Sequence, residues 1–161
     1  SSAYVAAELG LPYSFATHFA PAMAEEALSI YRKHFKASKY LDEPYFILGV
    51  LAHGADTDEE AERLYTIAQQ GSIRLLREEK GLYPLADEKF EENLNLSSAE
   101  KIFLKSRMGI NLMGSKETMT KIWKEVKAKF DPDEVIAVSY MPKLEELEKS
   151  YRILKEVVEN N

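Results

Sequence analysis

The sequence predicts an α/β fold in which parallel strands alternate with helices, and three features of its pattern lead there. Pro44-Tyr45-Phe46-Ile47-Leu48-Gly49-Val50-Leu51-Ala52 is a continuous apolar run, as expected of a parallel strand covered on both faces. Met119, Ile122, Trp123, Val126 and Phe130 fall at i, i+3, i+4, i+7 and i+11, the stripe of an amphipathic helix. Segments of these two kinds alternate along the chain, which implies βαβ units with right-handed crossovers.

Taken in order, Tyr4 to Leu9 reads as a short helix stopped by Gly10, a residue suited to helix C-termini. Leu11 to Ala16 is too short for a helix and aromatic enough for a buried strand, with Pro12 tolerated at its start. Pro21 fits the first turn of a helix, in which Met23, Ala27, Ile30, Tyr31 and His34 or Phe35 recur at helical spacing. After the second strand, Thr57-Asp58-Glu59-Glu60 predicts a capping box, and Ala61, Leu64, Tyr65 and Ala68 supply the buried stripe of the helix that follows. Residues 78–113 form an insertion with weaker helical signals over Glu88 to Leu94 and Ser98 to Ser106, and an insertion of that length is more often a functional lid than filler. Asp131-Pro132-Asp133 breaks the Trp123 helix, Val135 to Ser139 is expected as the next buried strand, and Leu144, Leu147, Tyr151, Leu154 and Val158 mark the last helix.

The 161 residues, 45% hydrophobic and 30% charged, suit one soluble domain. Lys and Arg number 21 against 27 Asp and Glu, for a net charge of −6, and no basic block could follow a run of phosphates, so no nucleic-acid partner is expected. No segment has the length or apolarity of a membrane span, and the N-terminus lacks a signal-peptide pattern. The absence of cysteine excludes a thiolate metal site and suits a cytoplasmic protein. The first residue is Ser, so processing, proteolysis or a cloning scar is expected to have shaped this end.

Ser1-Ser2-Ala3-Tyr4, then Ala6-Ala7-Glu8-Leu9-Gly10-Leu11-Pro12-Tyr13-Ser14-Phe15-Ala16-Thr17-His18-Phe19, resembles the Gly-Ser-Ser turn, small-residue helix and Leu-Gly-Leu-Pro-[aromatic]-x-Phe-Ala-x-His-Phe motif of the bacterial-luciferase-like flavin-dependent monooxygenases. Ala55 to Ala61, Gly114-Ser115-Lys116-Glu117 and Ser150 to Leu154 extend the resemblance in order over essentially the whole chain. It implies a partial (β/α)8 TIM barrel, about strands six to eight with their helices, because a complete barrel needs roughly 250 residues. One departure is that Tyr4-Val5 runs directly into Ala6-Ala7, about one helical turn shorter than the family pattern.

The resemblance further implies reduced FMN, supplied by a partner flavin reductase, and dioxygen that oxygenates a small organic substrate. Ser1, Ser2 and Tyr4 would then bind the cofactor phosphate at a helix N-terminus; the alternative is an N-cap that binds only water. His18, following a strand, falls at the C-terminal face where barrel enzymes place their active sites. It would be the catalytic residue, donating to a flavin carbonyl or relaying a proton, or else a structural histidine bonded to a loop carbonyl. His53 also ends a strand and could line the same face, His34 is expected on the surface, and no metal is expected from two histidines without further ligands. A partial barrel leaves strand edges bare, so the expected partner is the N-terminal half of the barrel or a second copy of the chain. The alternatives are a non-catalytic flavin-binding or self-associating half-barrel and, less in keeping with the absence of a Gly-rich dinucleotide fingerprint, a doubly wound α/β domain.

Overall fold

A computed structural model describes residues 1–107 and 109–161; Met108, inside the expected insertion, lies outside the described residues. The elements in chain order are α1 (Ser2–Glu8), β1 (Tyr13–Ala16), α2 (Ala24–His34) entered through a 3-10 turn at Pro21–Met23, β2 (Phe46–Gly54) and α3 (Asp58–Leu76). Then come α4 (Phe90–Asn93), α5 (Ser98–Ser106), β3 (Asn111–Gly114), α6 (Lys116–Phe130), β4 (Glu134–Val138) and α7 (Leu144–Asn160). The strands form one parallel sheet.

β2 is the spine of that sheet. Odd-numbered residues carry the hydrogen bonds of one edge: Gly49 O accepts from Thr17 N–H at 3.0 Å and Leu51 N–H donates to Ile110 O at 2.8 Å. β1 and β3 therefore occupy successive stretches of the same edge, pairing with Phe46–Gly49 and Leu51–Gly54. The even-numbered residues serve β4, as Asp133 N–H donating to Phe46 O shows. Thr17 joins the two strands on the shared edge, its hydroxyl donating to Gly49 O at 2.7 Å and accepting from Ile110 N–H at 3.4 Å.

The two faces of the sheet are covered differently. Phe46, Leu48, Val50 and Ala52 point into the main core with Tyr31 of α2, Met119, Trp123 and Phe130 of α6 and Leu154 and Val157 of α7. Tyr31 also ties α2 to the entrances of β1 and β2, donating to Leu11 O at 2.8 Å and accepting from Tyr45 N–H at 3.1 Å. On the other face only the C-terminal half is covered: His53 meets Tyr65 of α3 edge to face at 5.0 Å. Ser14 and Glu134 stay exposed nearer the strand starts, and Ile136 is 49% exposed.

Several local expectations change. Gly10 ends α1 as expected, with φ +61°, where a Cβ would also stand 2.5 Å from Lys36 O. Thr57 caps α3 by accepting from Glu60 N–H at 3.2 Å, but Glu60 gives both carboxylate oxygens to Arg63 at 2.7 Å, a stronger charge-assisted pair than the return half of a capping box. The complete box is at Ser97 and Glu100. The expected buried strand near Val135 has a half-exposed pattern because nothing among the described residues covers its outer face. In α2 the buried stripe is Ala24, Leu28 and Tyr31, with Met23 exposed. In α7 it is Ser150, Leu154 and Val157, with Leu144 exposed. His34 is half-buried because Tyr4 packs edge-on against it at 5.1 Å. Among the described residues no helix is long and apolar enough to cross a membrane.

Candidate active site

Parallel α/β scaffolds gather their chemistry beyond the C-terminal ends of the strands. Here those ends are Thr17-His18 after β1, Gly54 at the end of β2 and Ser139-Tyr140 after β4. α3 crosses the open face just there. A cavity of about 300 Å³ lies between the sheet and α3, walled by His18, Phe19, Leu51, Tyr65, Gln69, Ser72, Leu75, Tyr83, Leu104, Arg107 and Tyr140. The insertion closes one side of it: Tyr83 stacks on Tyr140 with ring centroids 6.1 Å apart and planes 11° from parallel.

His18 is placed by backbone fit. The return of the insertion passes so close that a Cβ on Gly109 would stand 2.7 Å from His18 Cα and from Thr17 O, so only glycine allows that approach. Nδ1 of His18 is buried without a hydrogen-bond partner among the described residues. Burial first, and then the charge of Arg107, pushes the imidazole below its ordinary pKa, so the ring is neutral at neutral pH. Burial also raises the Tyr83 phenol to about 12, with a smaller contribution from Tyr140, and raises that of Tyr65. Both stay protonated and able to donate.

His53 does not join this site. It is fully buried, with Nδ1 3.0 Å from Asn111 Oδ1 and Nε2 without a partner among the described residues; the hydrogen bond to an amide oxygen makes Nδ1 the protonated nitrogen. Ser1, Ser2 and Tyr4 are not brought together with His18 either. Ser1 accepts from Tyr4 N–H at 3.4 Å, while the Tyr4 ring rests on His34, at the end of α2 that lies about 16 Å along the helix from its start near β1. None of the three lines the cavity. Tyr65, Tyr83, Arg107 and Tyr140 were not singled out from the sequence. Tyr140 could have been, because it follows a strand just as His18 does; Tyr83 and Arg107 lie in the segment expected to cover the site.

The polar groups suit one edge of a ring system: beside aromatic walls stand the Gln69 amide, a neutral imidazole and the Ser72 hydroxyl, which donates to Ala68 O at 3.0 Å and so is left to accept. At about 300 Å³ the cavity stands at the lower end of small-molecule sites, large enough for a ring or a compact substrate and too small for a whole flavin nucleotide.

Comparison with known proteins places the chain in a family. No family model matches the chain. It is 37% identical over 158 residues to an uncharacterized protein, YddN, of Bacillus subtilis, covering 98% of this chain and 46% of that protein. It is 34% identical over 135 residues to a luciferase-like monooxygenase of Escherichia coli, covering 84% of this chain and 40% of that one. Among solved structures, apo-MsnO8 superposes with a TM-score of 0.85 at 28% identity over 98% of this chain and 48% of its own. Monooxygenase RslO1 from Streptomyces bottropensis, with a TM-score of 0.58 at 20% identity, shares the fold. The chain belongs to the luciferase-like monooxygenase family. It spans less than half the length of the curated relatives it matches.

Proposed function

We propose that this chain is the C-terminal portion of a (β/α)8 barrel, about strands six to eight, and forms one wall of a flavin-dependent monooxygenase site. Its reaction would use reduced FMN, delivered by a flavin reductase, and dioxygen to oxygenate a small organic substrate. The observation that carries this reading is the cavity at the strand C-terminal ends, with the unpartnered imidazole of His18 on its wall, in a chain of this family.

The bound flavin would supply the oxygen chemistry, leaving the protein to bind, orient and exclude water. A buried polar atom without a partner costs about 1–3 kcal/mol; Nδ1 of His18 is closed to solvent, so a ligand in the cavity recovers that cost only by a turn of the ring. His18, neutral at working pH, can accept or donate a proton at its ring nitrogens. Tyr83 and Leu104 bring the insertion over the cavity as its cover. Phe19 and Leu75, each 70% exposed at the rim, leave apolar surface for the remainder of the barrel, or a second copy of the chain, to bury. β1 and β4 have outer edges that pair with no strand among the described residues, and an open apolar groove lies between β4 and α7, lined by Val135, Ala137, Leu154 and Val158.

Ser1, Ser2 and Tyr4 as the phosphate site remain part of the proposal through the family resemblance alone. Their separation from the cavity favours a second reading, a self-associating half-barrel without turnover.

The test is His18→Asn in the assembled enzyme, fed with reduced FMN. Turnover should fall about 100-fold, the lower end of a general acid–base contribution, with flavin affinity nearly unchanged. Undiminished turnover would remove His18 from the chemistry.

A further inference from the structure

Arg107 stands at the C-terminal end of α5 with its guanidinium over the Phe103 ring, 5.4 Å from the centroid. Of the other arginines on α3 and at its end, Arg63 grips both oxygens of Glu60, Arg77 both oxygens of Glu100, and Arg74, outside the cavity lining, donates to Leu82 O at 2.6 Å. Arg107 makes no ion pair and no side-chain hydrogen bond among the described residues, although it lines the cavity. No Asp or Glu lines that cavity, in a chain whose acids outnumber its bases 27 to 21. Arg107 is half-buried, and a guanidinium without a counter-ion beside aromatic and aliphatic walls has a bidentate oxyanion as its best complement.

We propose that the cavity takes a small, mainly apolar ligand through an oxyanion held by Arg107, with His18 as the hydrogen-bonding partner beside it. Phe19, Leu51, Tyr65 and Leu104 receive the apolar body. The inference deepens the monooxygenase reading by naming a ligand class for its site, and rests on that reading for the ligand's part in turnover. Because the His18 ring is neutral, the site offers one positive charge, matched to one anionic group. That group is either a carboxylate of the substrate or, in place of the site at Ser1, Ser2 and Tyr4, the phosphate of the cofactor.

The experiment is calorimetric titration of the 161-residue chain with benzoate, its neutral counterpart benzyl alcohol, inorganic phosphate, riboflavin and FMN, for wild type, Arg107→Gln and Arg107→Lys. Benzoate is expected to bind at least about tenfold more tightly than benzyl alcohol, the worth of a charge-assisted bond. Arg107→Gln should erase that preference and leave benzyl alcohol unchanged, and Arg107→Lys should keep part of it. If Arg107→Gln weakens FMN and phosphate but not riboflavin, the oxyanion is the cofactor's; if it weakens benzoate alone, the oxyanion is the substrate's. Equal binding of benzoate and benzyl alcohol to wild type together with no phosphate binding, or an anion affinity indifferent to Arg107→Gln, overturns the proposal. Should the Gln variant fail to fold, the wild-type comparison and the Lys variant decide. Riboflavin that never binds, beside an anion preference that depends on Arg107, would defeat the flavin reading and leave the anion site standing.

Discussion

His53 shows at a single residue how burial sets a chemical state. Its ring is fully enclosed and burial drives its pKa down to about 4, against a smaller opposing contribution from the Asn111 hydrogen bond. The folded pKa lies below the unfolded value of about 6.5, so the unfolded chain binds more protons as acid is added. Stability is therefore complete above pH 6.5 and is lost as pH falls toward 4, by on the order of 3 kcal/mol for this residue. In His53→Leu, urea unfolding at pH 7.5 and 4.5 should differ by about 2 kcal/mol less than in the wild type; an unchanged difference would contradict the assignment. His18 and His53 look alike in the sequence, each following an apolar run. Only the packing of α3 separates them, sealing His53 beneath Tyr65 and leaving His18 on the cavity wall.

The insertion is held to α3 by a row of hydrogen bonds, among them Arg74 to Leu82 O at 2.6 Å and Asp87 N–H to the Thr66 hydroxyl at 3.0 Å, and this decides how far it can act as a cover. Arg77 bridges to Glu100 at 2.6 Å and to Leu94 O at 3.0 Å, Gln70 donates to Leu85 O at 2.8 Å, and Ile73 packs with Phe90, Leu96 and Leu104. Arg77 first, then the Ser97 amide, pulls the Glu100 carboxyl down to about 2, so the link holds through the ordinary carboxylate range and is lost only as pH falls toward 2. Arg77→Ala should speed proteolytic cleavage within residues 80–100 several-fold while the rest of the chain resists, and an unchanged cleavage rate would contradict the tether. Flavin bound in the assembled enzyme should slow the same cleavage if the segment covers the site. The helices of the insertion were legible only as weak signals over Glu88 to Leu94 and Ser98 to Ser106; the structure keeps the first as the single turn Phe90–Asn93 and starts the second with the Ser97–Glu100 capping box. β3 was not legible, since Asn111-Leu112-Met113-Gly114 contains no β-branched residue and has weak strand propensity. It is a strand because the edge of β2 beyond β1 would otherwise leave backbone groups unpaired. Nor did periodicity reveal the Ser150 side of α7, which faces the sheet because its hydroxyl accepts from Gly54 N–H at 2.9 Å.

At the scale of the molecule, the alternation of strand and helix was readable because each apolar run has a length and period of its own, and the order of motifs pointed to the family. The site was half readable: strand ends can be counted along a sequence, but the meeting of Tyr83, Arg107 and Tyr140 across more than 50 residues depends on how the insertion folds back. The uneven covering of the sheet has a consequence for assembly. Ile136 is half exposed on a parallel strand, and parallel sheets are normally covered on both faces, so a partner surface over that face is the expected completion. The most direct test of the central claim is native mass spectrometry of the chain with FMN added, read beside its denatured mass. A dimer, or a complex with a second barrel portion, holding one flavin per barrel is the predicted result. A monomer of 18.3 kDa that binds no flavin, alone or with the remainder of the barrel supplied, would contradict it.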